Sequence, residues 1–190
     1  VNGIPRAFDI FIAVLALVVL SPVLLIAAIA IKLGSRGPVV YRQRRVGLGG
    51  AEFELLKLRT MALGSDPVGI GTAVSRDDPR VTGAGRLLRR TSLDEIPNLV
   101  NVLRGEMAIV GPRPTIPAQV AEYSPIQHRR HEVRPGITGW AQVQGRAGIP
   151  WEQRIELDVE YVERRGPPLD LRILAKTAWL LVTGHGLAPD

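Results

Sequence analysis

No cysteine occurs in the 190 residues. That excludes disulfides, thiolate metal sites and a cysteine nucleophile, and it leaves the compartment open. Histidine is almost as scarce: His128, His131 and His185 are the only three. They form no ligand cluster, since His128 and His131 stand three apart among arginines, which suits a solvated helix face better than a zinc site. Lysine supplies only three of the 24 basic residues, and the rest are arginine, leaving a net charge of +6. Arginine presents a planar fork that matches phosphate. An anionic partner is therefore expected: a membrane surface, a nucleic acid or a phosphorylated substrate. Aromatics make up 5% of the chain, too few for the platforms on which single-stranded nucleic acid stacks, so no nucleic-acid partner is expected. The chain has no internal repeat and no low-complexity tract, and its length suits one domain with a modest core.

Charge is missing altogether from Ile10 to Ile31, where Ser21 and Pro22 interrupt an otherwise apolar run. At helical rise these residues reach roughly 33 Å, enough to span a bilayer core. The run is too long for a signal peptide, and no small-residue cleavage site follows it. Pro22 deletes a backbone bond and clashes with the preceding turn. Two geometries follow: a kinked span, or a helix-break-helix that enters and leaves by one face. Membrane helices tolerate proline, which makes the kinked span the simpler default. Arg6 precedes the run, and Lys32, Arg36, Arg42, Arg44 and Arg45 follow it. Positive residues on both flanks favour the re-entrant form, anchored from the cytoplasm. Ser21 is placed to satisfy the carbonyl that Pro22 frees.

Beyond a turn at Gly34–Pro38, Val39–Gln43 and Phe53–Arg59 read as strands around a glycine-rich turn at Gly47–Gly50. Those glycines lack the Lys-Ser/Thr of a phosphate loop. Strict alternation puts Lys57 and Arg59 on one strand face. Together they either meet an anion or form two solvated ends of an edge strand. A polar loop spans Gly64–Pro79, and Arg80–Arg90 reads as a helix with Arg86, Arg89 and Arg90 on a basic face.

The next stretch, Arg89-Arg90-Thr91-Ser92-Leu93-Asp94-Glu95-Ile96-Pro97, organises the rest. Leu93, Ile96, Val100 and Leu103 recur at helical spacing, and Pro97 fits a first turn, so a helix is expected to begin near Asp94. A helix start favours an ionised carboxylate and attracts phosphate. Asp94 is thus a candidate nucleophile or metal ligand. Locally the simpler reading is plain capping, with Ser92 to Glu95 as a capping box.

Met107–Val110 reads as a short strand. Prolines on both sides hold Arg113 rigid in Gly111-Pro112-Arg113-Pro114. Thr115–His131 reads as helical with a break near Pro125, and Arg134–Trp140 as a second rigid, arginine-bearing turn running on to Arg146. Amphipathic helices are expected over Trp151–Arg165 and Leu169–Thr183. On the last, Arg172, Lys176 and Trp179 match an interfacial pattern, while Leu171, Leu174, Ala178 and Leu181 suit core packing.

These motifs in this order resemble the bacterial sugar transferase family, the monotopic phosphoglycosyl transferases. The likeness runs nearly end to end. It is carried by Arg6-Ala7-Phe8-Asp9, Ser21-Pro22, Ser35-Arg36-Gly37-Pro38, Leu56-Lys57-Leu58-Arg59-Thr60-Met61, Thr91-Ser92-Leu93-Asp94-Glu95-Ile96-Pro97, Val110-Gly111-Pro112-Arg113-Pro114, Arg134-Pro135-Gly136-Ile137-Thr138-Gly139-Trp140 and Leu169-Asp170-Leu171. The resemblance implies transfer of a sugar-1-phosphate from a UDP-sugar to polyprenyl (undecaprenyl) phosphate, releasing UMP. It implies Mg2+ and an Asp-Glu pair, here Asp94-Glu95, with Asp94 as nucleophile and both as metal ligands. It also implies a re-entrant helix broken at Ser21-Pro22. Lys57, Arg59, Arg89, Arg113, Arg134 and Arg146 are the candidates for binding substrate phosphates. Longer family members carry extra membrane helices upstream, so the chain is expected to be a short member or a fragment of a long one.

The fold expected is α+β and mainly helical with few short strands. Residues 1–33 form the membrane helix and 34–190 a cytoplasmic catalytic domain on the inner membrane of a bacterium; the class also admits a homodimer. Two other readings compete: a membrane-bound phosphoesterase, with water as acceptor, and a non-enzymatic module for anionic lipid, with Asp94 only a cap.

Overall fold

The structure, a computed structural model, describes residues 3–65, 78–145 and 148–183. Arg146, His185 and residues 66–77 of the expected polar loop lie outside these. The protein is mainly helical with a few short strands, as expected.

The apolar run forms α1, Arg6–Gly34, the one described helix long and apolar enough to cross a membrane. The break expected at Ser21-Pro22 does not divide it: the two halves are one continuous helix. Pro22 has no N–H for the Val18 carbonyl one turn back. The Ser21 hydroxyl donates to that carbonyl instead, at 2.8 Å, so the turn keeps a bond there. One stripe of α1 faces the rest of the protein, with Asp9, Ala13, Ala27 and Ile31 buried. The other side leaves Phe11, Val18, Val19, Leu25 and Ile26 more than 60% exposed.

Both ends of α1 are fastened to the same body. At the start, the Ile4 N–H donates to Asp170 Oδ2 at 2.8 Å. Arg6 donates to the Met107 and Val102 carbonyls, and Asp9 Oδ1 accepts from the Ile109 N–H at 3.0 Å. Past the far end, the guanidinium of the buried Arg59 donates to the Arg36 carbonyl (2.5 Å) and to the Ser35 carbonyl and hydroxyl (2.9 and 3.0 Å).

Strands β1 (Val40–Val46) and β2 (Glu52–Leu58) pair antiparallel. Register sets Tyr41, Gln43 and Arg45 opposite Lys57, Leu55 and Phe53, on one face. On the other face Arg42 and Arg44 pair with Glu54 and Glu52 in solvent. Helix α2 (Gly83–Thr91) is capped by Thr82, whose hydroxyl accepts from the Gly85 N–H. Helix α3 is Asn98–Arg104. Buried Asn101 docks it on β2: Oδ1 accepts from the Leu56 N–H (3.1 Å) and Nδ2 donates to the Glu54 carbonyl (2.7 Å).

The expected Thr115–His131 helix is divided into α4 (Pro117–Val120), α5 (Pro125–His128) and a 3-10 turn at Arg129–Glu132. Each proline begins a new helix because it has no N–H to continue the last. The second arginine-bearing turn contains a strand: β3 (Ala108–Val110) and β4 (Gly136–Thr138) pair in parallel. Their ends cross closely, since a Cβ on Gly136 would lie 2.1 Å from the Gly111 nitrogen. Helices α6 (Trp140–Gln144), α7 (Trp151–Arg164) and α8 (Pro167–Thr183) complete the chain. The main core joins Ala13 of α1 to Leu55, Leu99, Val102, Met107, Val162 and Ile173. A second cluster joins Ala27 and Ile31 to Leu58 and Leu88.

Candidate active site

Asp94 and Glu95 sit between those two clusters. Leu93 packs against the second and Ile96 against the first, so the carboxylates are held by an apolar anchor on each side. The helix expected to start at Asp94 starts at Asn98 instead; Leu93–Glu95 is a 3-10 turn. The capping box is absent as well. Ser92 ends α2 in the left-handed region at φ 57°, the one positive-φ non-glycine among the described residues, and its side chain caps nothing. Backbone geometry there serves the end of α2, so it cannot also serve as an N-cap for the next turn.

Glu95 is clamped. Lys57 Nζ donates to Oε1 at 2.7 Å, while Arg113 donates to Oε1 at 2.5 Å and to Oε2 at 3.3 Å. Burial pushes the Glu95 carboxyl up, but the Arg113 and Lys57 charges outweigh it and hold it well below the usual range. Burial pulls Lys57 down, against the pull of Glu95. Asp94 is different: its carboxylate takes no hydrogen bond from a described residue, and burial, with the Glu95 charge, pushes it up against Lys57, Arg89 and Arg113. The pair is thus one engaged carboxylate and one with open oxygens. Hard-ion chemistry fits the open one: among the described residues no third His, Asp or Glu gathers there, and Mg2+ commonly takes one or two carboxylates with water and substrate phosphate.

Of the arginines expected at the site, Arg113 and Arg89 reach it. Arg89 Nε donates to Thr60 Oγ1 at 3.0 Å and feels the Asp94 charge. Arg59 does not: its terminal nitrogens hold Ser35 and Arg36. Alternation gave it the direction of Lys57, but it follows the last residue of β2 and turns to α1. Arg134 does not reach the site either. Its Nε donates to the Gly105 carbonyl at 2.9 Å, at the C-terminal end of α3, away from the turn that precedes α3. Arg146 lies outside the described residues.

Sequence reasoning missed the supports. Arg130 and Asp158 form a buried ion pair. Arg130 also donates to the Arg113 carbonyl (2.7 Å), Tyr123 OH (2.7 Å) and Thr115 Oγ1 (3.0 Å). This bracket stands behind the rigid Pro-Arg-Pro segment, and no local pattern signals it. Arg45 also comes to the face of Lys57, through the hairpin register, which strand alternation alone does not give.

A model of the family described as bacterial sugar transferase matches residues 2–184. The chain belongs to that family. It is 44% identical over 184 residues to the uncharacterized sugar transferase EpsL of Bacillus subtilis (strain 168), covering 96% of this chain and 89% of that protein. It is 46% identical over 186 residues to the UDP-glucose:undecaprenyl-phosphate glucose-1-phosphate transferase of Caulobacter vibrioides, covering 94% and 69%. An enzyme of the same name from Escherichia coli (strain K12) is 43% identical over 182 residues, which are 92% of this chain but 39% of that protein. Within a sugar transferase the open Asp94 carboxylate, ringed by arginine and lysine, meets the demand of phosphoryl transfer, which is charge neutralisation more than proton movement.

Proposed function

We propose that the protein is a phosphoglycosyl transferase that moves a sugar-1-phosphate from a UDP-sugar to polyprenyl (undecaprenyl) phosphate. The observation that carries this reading is the unengaged Asp94 carboxylate beside a Glu95 locked by Lys57 and Arg113. Asp94 attacks the phosphorus that bears the sugar, and the bond to the second phosphate breaks, releasing UMP. An oxygen of the polyprenyl phosphate then attacks the aspartyl phosphosugar. Asp94 is restored and polyprenyl-diphosphate sugar leaves. Lys57, Arg89 and Arg113 neutralise charge on the phosphoryl oxygens. Glu95 fixes Lys57 and Arg113 and keeps them from closing on Asp94. Asp94, with Glu95 beside it, would hold Mg2+, and the ion would draw negative charge from the diphosphate.

The same proposal places the enzyme at the cytoplasmic leaflet of the bacterial inner membrane, with α1 entering and leaving by that face. Support comes from the fastening of both helix ends to one body and from the apolar face left outside. A helix that crossed the bilayer would carry one of those ends to the far side. A cysteine introduced in place of Asn2 should stay unreactive to an impermeant thiol reagent outside intact cells; labelling there would show a span.

The chemistry is tested with purified enzyme and a panel of UDP-sugars. A stoichiometric burst of UMP without lipid, and turnover only with polyprenyl phosphate, is expected. Asp94→Asn should abolish both, although asparagine caps as well as aspartate. Steady UMP release without lipid would indicate a hydrolase, and an active Asp94→Asn variant would remove Asp94 from the chemistry.

A further inference from the structure

We infer that Arg45 is a further phosphate-binding residue of this site; the inference rests on the transferase reading and deepens it. Arg45 shares the hairpin face of Lys57. Its Nη1 lies 3.3 Å from the Pro114 carbonyl, in the segment that carries Arg113, and Nη2 donates to Gln43 Oε1 at 2.7 Å. Its Nε is buried and has no hydrogen-bond partner. A buried guanidinium N–H without a partner is costly unless a ligand completes it. No carboxylate within ion-pair distance answers Arg45 among the described residues; burial and the neighbouring Arg113 lower its pKa to about 10, against weaker support from Tyr41 and Glu95.

The charge around the turn points the same way. Among the described residues Arg45, Lys57, Arg89 and Arg113 stand about Asp94 and Glu95, and the Asp78–Arg80 pair that also acts on Arg89 is neutral as a whole. The free site therefore holds two positive charges in excess in a partly desolvated place, an arrangement that disfavours itself until an anion arrives. A nucleotide diphosphate sugar brings one negative charge on each of its two phosphates and reduces the excess, with or without the proposed Mg2+. Arg113 is already tied to Glu95 through both terminal nitrogens. Arg45, like Arg89, has no carboxylate at ion-pair distance among the described residues, so its charge is open to substrate. Its contact to Pro114 ties it to the segment that carries Arg113, whose charge it feels. The ligand chemistry is a phosphate oxygen, supplied by the nucleotide or by the lipid phosphate.

The test is steady-state kinetics of full-length Arg45→Gln and Arg45→Lys, with each substrate varied in turn and with thermal unfolding measured alongside. Loss of a charge-assisted contact predicts a rise of about tenfold or more in the KM of one phosphate substrate for Arg45→Gln, with the melting temperature held. Arg45→Lys should recover part of it. A rise confined to the UDP-sugar identifies the nucleotide diphosphate as the ligand; one confined to polyprenyl phosphate identifies the lipid. Unchanged KM values for both, in an enzyme whose Asp94→Asn variant is dead, overturn the inference and leave the transferase reading intact. A fall in kcat alone with both KM values unchanged also overturns it, making Arg45 a prop for the Pro114 segment. A live Asp94→Asn variant would instead sink the transferase reading itself.

Discussion

Glu95→Gln tests how the site divides its labour. The substitution keeps shape and one acceptor but removes the charge that Lys57 and Arg113 share. Lys57 and Glu95 keep only 17% and 22% of their side-chain surface exposed, whereas Arg113 keeps 51%. Breaking a fully buried pair from one side costs about 3–5 kcal/mol; the Lys57 pair is short of that, near ~2–3 kcal/mol. The Arg113 contact, half in water, adds at most ~1 kcal/mol. A loss of about 2–4 kcal/mol should lower the melting temperature by roughly 5–15 °C at this chain size. The chemical effect should exceed what stability alone explains. Without Glu95, Asp94 is the carboxylate left to Lys57 and Arg113, so its open oxygens become engaged. The UMP burst should slow by about a hundredfold, or ~2.7 kcal/mol of barrier. A cycle with Lys57→Met should show strong coupling, because the second change removes the cation that the first left unpaired. A melting temperature within about 1 °C of wild type with an intact burst would refute this division of roles.

On acidification activity should fail before the fold does. Asp94 is pushed up by burial, then by Glu95, so the nucleophile protonates above the ordinary 3.8. Glu95 is held well below 4.5, so its contribution to stability is full above 4.5 and is lost only as pH falls through the lowered value; a burst that outlasts the folded circular dichroism signal would contradict both signs. Excess chelator should stop turnover and added Mg2+ should restore it; full activity in chelator would exclude the proposed ion. Arg59→Ala should destabilise by about 2–4 kcal/mol, since it loses several charge-assisted bonds from a buried group, while leaving the KM for UDP-sugar unchanged. A raised KM at wild-type stability would return Arg59 to the site.

What was legible in the sequence was chemistry carried by short patterns. Adjacent carboxylates marked Asp94 and Glu95, and flanking prolines marked Arg113 as a fixed cation. Alternation was enough for Lys57 and failed for Arg59 two residues on, because the strand stops between them. The Ser92–Glu95 pattern matched a capping box, yet Ser92 already ends the preceding helix. Arg45 read as one of several positive charges flanking an apolar run, and only the strand register aligns it with Lys57. The Arg130–Asp158 bracket joins residues 28 apart, a distance at which no local periodicity operates. At Ser21-Pro22 the sequence shows the lost donor and the hydroxyl that replaces it, and the helix runs on through both.

The fastening of α1 has a consequence for how the protein is made. The apolar helix is made before its partners: the Asp170 carboxylate that receives the Ile4 N–H is synthesised 166 residues later. At about 5–20 residues per second that is a delay of roughly 8–33 s. During it the nascent helix has the length and hydropathy of an ordinary span and none of its late partners. The contact that fastens its start forms only once α8 has been made, so on the proposed one-sided reading the helix stays uncommitted until then. A stalled chain ending before residue 167 lacks the whole of α8, and in such a chain the start of α1 should be distributed between the two sides of the membrane.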